Sequence, residues 1–281
     1  MRKNHSFKTE KETKHGNLKR FAAAFVIFAL VFGGISAFVI IRNNEITPQD
    51  IFSGKKTEQT DSDNPVDENK LTGSADFLIY SADSETCEMY FLAVVRADMG
   101  EQTFKVYPLN SDGKYNGSSY SDILNKNGAK SLVAAVAANE NLKLDKYIAS
   151  NAETFALAIN YMGGLEYNVA NRIEYRNDDY TLILTGGKQT IKGETLIKYF
   201  RYCKTLDGTG LKTQGDLICA MLDNYINSEN IDNGMDIYRK LLSKLETASN
   251  ISYVEAANAM PVLEQLCKSE NRKPSTVVLN S

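Results

Sequence analysis

At 281 residues and 43% hydrophobic content, the chain has room for one large domain with appendages and an ordinary globular composition. A formal charge of -3, with no long basic stripe after residue 42, argues against a dedicated nucleic-acid binder, since counterion release would have little to act on. Both histidines, His5 and His15, lie at the N-terminus, so chemistry further along must do without histidine triads, histidine bases and most zinc hydrolase sites.

Residues 1–20 form a basic tail, with Arg2, Lys3, Lys8, Lys11, Lys14, Lys19 and Arg20 set against Glu10 and Glu12. Residues 21–41, FAAAFVIFALVFGGISAFVII, carry no charge. As a helix they extend roughly 30 Å, enough to cross a bilayer core. A cleaved signal peptide is the rival reading, but its apolar region runs only about 7–15 residues. Length therefore predicts an uncleaved, single-pass anchor, and the basic flank places the N-terminus in the cytoplasm and the rest outside the cell. Gly33 and Gly34 suit helix pairing or plain transmembrane composition equally. Residues 42–74 read as a linker, because TEQTDSDNPVDENK is acidic, holds a proline and lacks apolar periodicity.

Residues 75–281 are expected to form the extracellular domain. ADFLIYSA (75–82), MYFLAVVRA (89–97) and TFKVYPLN (103–110) have the length and apolarity of strands, and the DMGEQ connection makes the second and third a hairpin. SDGKYNGSSYSDILNKNG reads as a surface loop with a short helix. AKSLVAAVAANENL and NAETFALAINYMGG carry helical spacing, the latter capped at Asn151 and ended by Gly163 and Gly164. LEYNV and DYTLILT are further strands, followed by the helix GETLIKYFRYCKTL, whose Lys198, Arg201 and Lys204 recur at helical spacing. GDLICAMLDNYIN, DNGMDIYRKLLSKLETA and SYVEAANAMPVLEQLCKS follow as helices, with a capping-box pattern at Ser252 and Glu255 and a kink or restart expected at Pro261. STVVLN is a candidate closing strand. The fold class is α/β, in three α-β-α layers: a mixed central sheet covered by helices on both faces, preceded by one transmembrane helix.

Taken in order, FLIYSADSE, CEMYFLAVVRADMGEQTFKVYPLN, LKLDKYIASNAETFALAINYMGGLEYNV, LTGGKQTIKGETLIKYFRYC and GDLICAMLD resemble the motifs of the LytR-CpsA-Psr family from Asp76 to about Tyr225. The resemblance implies a membrane-anchored cell-envelope protein that moves a glycopolymer from a polyprenyl-pyrophosphate carrier to peptidoglycan. It implies a pyrophosphate held by arginines and a magnesium ion held by two aspartates. Carried over by position, Asp83 and Glu88 are the metal candidates, and Arg201 and Asp216 are the catalytic candidates. The partners implied are the lipid-linked glycan, the wall polymer or peptidoglycan, and the membrane, with no nucleic acid.

The chain departs from this pattern where the family has arginine. Pro108-Leu109-Asn110 replaces Pro-Arg-Asp, Cys203 replaces the second arginine of the Tyr-x-Arg-x-Arg stretch, and Cys219 and Leu222 replace two more. Arginine grips phosphate through bidentate, charge-assisted bonds that Lys204 or Lys212 match only as point charges. The expectation is therefore weakened or lost catalysis. The alternatives are a non-catalytic module that binds lipid carrier, glycan or an envelope protein, and a bitopic adaptor. Plainer readings accompany each site: Asp83 and Glu88 as solvated turn carboxylates, and Arg201 paired with Asp216. The shared ligand implied for Cys203 and Cys219 raises a disulfide against two free thiols. SLVAAVAA and TFALAINYM suit either the family's lipid tunnel or a solid core.

Overall fold

A computed structural model of the protein describes residues 74–144, 146–227, 248–251 and 253–279. The tail, the expected membrane span, nearly all of the linker, most of the segment 232–248 and the cap at Ser252 lie outside these residues. Among the described residues, no helix is long and apolar enough to cross a membrane.

The three expected strands are present as β1 (Ser74–Ala82), β2 (Met89–Asp98) and β3 (Thr103–Leu109). They pair as an antiparallel meander in which Phe77 faces Val95 and Val95 faces Val106. Alternation sends successive side chains to opposite faces. Phe77, Ile79, Phe91, Ala93 and Val95 thus enter one core, while Leu78, Tyr80, Leu92 and Val94 enter another. Asp76 and Arg96 are cross-strand partners joined by two charged hydrogen bonds of 2.6 and 2.7 Å.

A short hairpin, β4 (Lys114–Tyr115) and β5 (Ser118–Ser119), leads into α1 (Tyr120–Asn139). The helix is kinked at Gly128, whose φ of 79° lies where a side chain would be strained, so the short helix and the following apolar one are expected pieces of a bent whole. β6 (Lys146–Ser150) then adds to β1 in parallel, and α2 (Ala152–Tyr161) follows, capped by Asn151 through a reciprocal pair of hydrogen bonds with Thr154. Four strands come next, the middle two forming a turn-rich hairpin: β7 (Leu165–Val169), β8 (Ile173–Arg176), β9 (Thr181–Leu184) and β10 (Gly187–Ile191). β10 pairs with β7, and β8 pairs with β9.

The last part holds α3 (Gly193–Cys203), α4 (Gly210–Tyr225), β11 (Ala248–Ser249), α5 (Tyr253–Lys268) and β12 (Ser275–Thr276). The main sheet runs β11-β6-β1-β2-β3-β12 and is mixed, with β6 parallel to β1 and β12 parallel to β3. α1 covers one face; α2, α3, α4 and α5 contribute to the core on the other. α5 continues through Pro261 without restarting, because Ala259 before it and Val262, Leu263 and Leu266 after it are all buried in the same core. STVVLN contributes only a two-residue strand.

Candidate functional site

The site region grows from the turn between β1 and β2. A bulge after Ser81 ends regular pairing, and the turn closes as the Asp83 N–H donates to the Glu88 carbonyl at 2.8 Å. Asp83 Oδ1 accepts from the Glu85 N–H at 2.9 Å, the Thr86 N–H at 2.8 Å and the Thr86 hydroxyl at 3.1 Å. Its Oδ2 accepts from the Tyr90 hydroxyl at 3.2 Å. These donors, the Thr86 amide first and the Glu85 amide next, hold the Asp83 carboxyl below its usual value. Glu88 points instead to Lys204, whose ammonium lies 3.5 Å from Glu88, 3.0 Å from Asp112 and 3.1 Å from the Met89 carbonyl.

α3 delivers Arg201 and Lys204 because its buried stripe, Leu196, Tyr199, Phe200 and Cys203, fixes its rotation against the sheet. Arg201 donates to Asp179 at 2.9 Å, and its guanidinium lies 4.5 Å from the Tyr180 ring centre. Asp179 is presented by the tip of the β8–β9 hairpin, where Asn177 Oδ1 accepts from the Asp179 and Tyr180 amides. Tyr90, bonded to Asp83, also feels the Arg201 charge. Burial first, then the Asp83 charge, pushes its phenol up to about 12, while Arg201 opposes that shift. Asp83 thus bonds to Tyr90 directly, while Glu88 and Arg201 act on its phenol through their charges.

Asp216 is not part of this group. It is held by Lys212 at 2.6 Å and by the Thr276 hydroxyl at 2.7 Å, and lines a separate hollow of about 340 Å³ with Glu166, Tyr167 and Cys219. The pairing of Arg201 with Asp216 therefore gives way to Arg201 with Asp179, because the hairpin tip, not α4, packs beside that guanidinium.

Positions where the family pattern calls for arginine are absorbed by the two cores. Leu109 is buried on the α1 side of the sheet, whereas Cys203 and Leu222 are buried on the opposite side and Cys219 packs against that second core. Cys203 lines a hollow of about 260 Å³ with Asn110, Asp112, Lys204 and Gln214, and Cys219 lines the other. All four cysteines are free thiols. Burial pushes Cys203 up to about 12 and Cys219 up to about 11, so both are neutral near pH 7.

Both segments proposed for a lipid tunnel are placed, but apart. SLVAAVAA belongs to α1 on one face of the sheet, and TFALAINYM belongs to α2 on the other. Between α2, α3 and the sheet, the Phe91 ring centre lies 5.4 Å from that of Phe155 and 4.5 Å from that of Phe200, an aromatic cluster within the core. The residues that sequence reasoning passed over are Tyr90, Asp112, Asp179 and Tyr180. The one available signal was the turn-forming run Asn177-Asp178-Asp179 between two apolar runs.

Against a magnesium ion the fit is poor. Magnesium wants near-octahedral oxygen ligands at about 2.0–2.1 Å. Both Asp83 oxygens already accept hydrogen bonds, and the Lys204 ammonium stands beside Glu88. Among the described residues no group of three or more metal-ligating side chains occurs.

No curated protein sequence matches the chain significantly. Among solved structures, a protein from Eubacterium siraeum assigned as a transcription regulator superposes with a TM-score of 0.62 at 17% identity, covering 79% of this chain and 90% of that one. TagV of B. subtilis gives 0.59 at 18% identity, covering 75% and 86%. TagT bound to LI-WTA gives 0.51 at 16% identity, covering 73% and 78%. These likenesses establish a shared fold. The LytR_cpsA_psr family model matches residues 105–273, from within β3 to the approach to β12, and the chain belongs to that family.

Proposed function

We propose that the chain is a membrane-anchored protein of the outer cell envelope that holds a polyprenyl-pyrophosphate-linked glycopolymer with weakened or lost transfer chemistry. In this reading residues 21–41 are the anchor, residues 1–20 are cytoplasmic and the described domain faces outward. The observation that carries it is internal neutralisation: Arg201 holds Asp179, and Lys204 holds Asp112 and Glu88. A pyrophosphate must compete with carboxylates of the same chain for the charge of either cation.

No replacement charge is available at positions 109, 203, 219 and 222. Each charged hydrogen bond forgone removes about 1.5–3 kcal/mol of ligand binding. Loss of one donor that stabilises transition-state charge slows a reaction about 10²–10³-fold. The magnesium-binding role of Asp83 and Glu88 and the catalytic role of Asp216 are not adopted, given the hydrogen bonds and the ammonium that already engage them. The ligand class is supported by family membership and by the likeness to TagT, whose bound LI-WTA is a wall teichoic acid species.

Residual transfer remains the second reading, favoured by the retained Asp83 and Arg201, whose charges both act on Tyr90; it requires the Arg201 guanidinium to serve substrate as well as Asp179. Native mass spectrometry of the full chain, extracted from membranes in mild detergent, tests the binding claim. A co-purifying mass increment that matches a polyprenyl phosphate or its glycan conjugate is expected. Spectra free of any such increment, before and after incubation with polyprenyl pyrophosphate, contradict it.

A further inference from the structure

The hollow of about 260 Å³ beside Lys204 has a charge pattern opposite to the one an anion needs. Lys204 is the one cation among its lining residues, and its N–H groups are taken up by Asp112 at 3.0 Å, the Met89 carbonyl at 3.1 Å and Glu88 at 3.5 Å. Asp207 lines the same hollow, is exposed, and its carboxylate has no partner among the described residues. Cys203, where the family pattern has arginine, contributes a neutral thiol.

A second and independent sign comes from Gln214 of α4, which is 2% exposed. Its Nε2 donates to the Phe200 carbonyl at 3.1 Å and to the Tyr90 carbonyl at 3.3 Å, and two carbonyl acceptors fix which end of the amide bears hydrogen. Oε1 is left over. No group among the described residues donates to it, and it is not sealed from the hollow that Gln214 lines. A nearly buried carbonyl without a donor carries a penalty that an incoming N–H relieves. A phosphate oxygen would meet it acceptor to acceptor.

We propose that this hollow binds a small molecule bearing a primary ammonium group on a short apolar stem. The ammonium donates to Gln214 Oε1 and to the carboxylates of Asp207 and Asp112, while Leu206, Leu211 and Cys203 flank the stem. The volume lies just under the range of about 300–1,000 Å³ usual for drug-sized ligands, which keeps the occupant small. A quaternary ammonium would suit the carboxylates but has no N–H for Gln214. Replacement of arginine at position 203 thus turns an anion subsite towards cations. The inference goes beyond the carrier reading and stands apart from it, since neither Arg201 nor Asp179 lines this hollow.

The test titrates the full chain in non-ionic detergent micelles with n-butylamine at neutral pH and constant ionic strength, read by saturation-transfer NMR against empty micelles. Saturable binding is expected, and butyltrimethylammonium should bind at least about 5-fold more weakly. Asp207→Asn should weaken butylamine binding about 2–5-fold without altering Tm, because the carboxylate it removes is exposed. Asp178→Asn removes the same charge from the exposed tip of the β8–β9 hairpin and should leave the affinity unchanged. Lack of saturable binding overturns the proposal, as do equal affinities for the two amines, or Asp207→Asn and Asp178→Asn behaving alike. Co-purified lipid, present or absent, bears on the carrier reading alone.

Discussion

Lys204 has Asp112 at 3.0 Å and Glu88 at 3.5 Å, so its charge is already spent within the chain. Asp112→Asn removes the nearer counterion while keeping the side-chain shape. It should tighten inorganic pyrophosphate binding about 3–10-fold, less than the full worth of a charged hydrogen bond because the asparagine carbonyl can still accept from Lys204. An unchanged Kd by calorimetry would show that Lys204 does not face the ligand. Arg96 is a contrasting case. Its bidentate grip on Asp76 is structural, and Tyr107 lies beneath the guanidinium at 5.5 Å. Arg96→Lys keeps the charge but loses the fork, at an expected cost of about 1–2 kcal/mol in urea unfolding. Titration adds a third test. Burial pushes the phenols of Tyr90, Tyr167 and Tyr180 and the thiol of Cys203 up to about 12. The folded chain therefore keeps protons that the unfolded chain releases nearer pH 9–10, about the ordinary thiol and phenol values. Their contribution to stability is full below about pH 9 and is lost as pH rises towards 12. Tm should fall steadily across that window, and a flat profile would mean these groups ionise freely in the native state.

At the scale of elements, α3 is the piece on which the site depends, and its start is built by a neighbour. Lys192 provides no side-chain cap; instead Asn160 of α2 accepts from the Gly193 N–H at 2.8 Å and donates to Glu194 at 2.8 Å. That second bond is the main reason the Glu194 carboxyl is held below its usual value. Asn160→Ala should cost about 1 kcal/mol, the usual value of a lost cap. Gly193 lets the two helices touch, since a Cβ there would collide with the Ala156 backbone. Gly193→Ala should therefore cost more, about 1–3 kcal/mol, and loosen the placement of Arg201 and Lys204. Equal urea midpoints for the two variants would refute this ordering. Asn151 was legible as a cap in the sequence because a cap bonds within its own turn. Asn160 was not, because its partner lies 33 residues further on. The same limit explains β8, β10 and the two-residue β12. Their pairing is set by partners that local periodicity does not reveal.

At the scale of the molecule, the meander of β1, β2 and β3 and the mixed sheet were readable because each strand carries its own apolar run. Which face each helix covers was not readable. SLVAAVAA and TFALAINYM have similar apolar character, and the sheet separates them. The site divides in the same way. Asp83, Glu88 and Arg201 could be picked out by position in motifs; Asp83 bonds to Tyr90, while Glu88 and Arg201 pair with Lys204 and Asp179. Asp216 belongs to the opposite side of α4, and the counterions Asp112 and Asp179 come from loops outside every motif. Charge neutralised from outside the motifs underlies the proposed loss of transfer. The most direct measurement is release of polyprenyl phosphate from a polyprenyl-pyrophosphate-linked glycan by the full chain, with magnesium and a peptidoglycan acceptor present. Release at the background rate, despite bound substrate, is the expected result. Magnesium-dependent release that Arg201→Ala abolishes would contradict it.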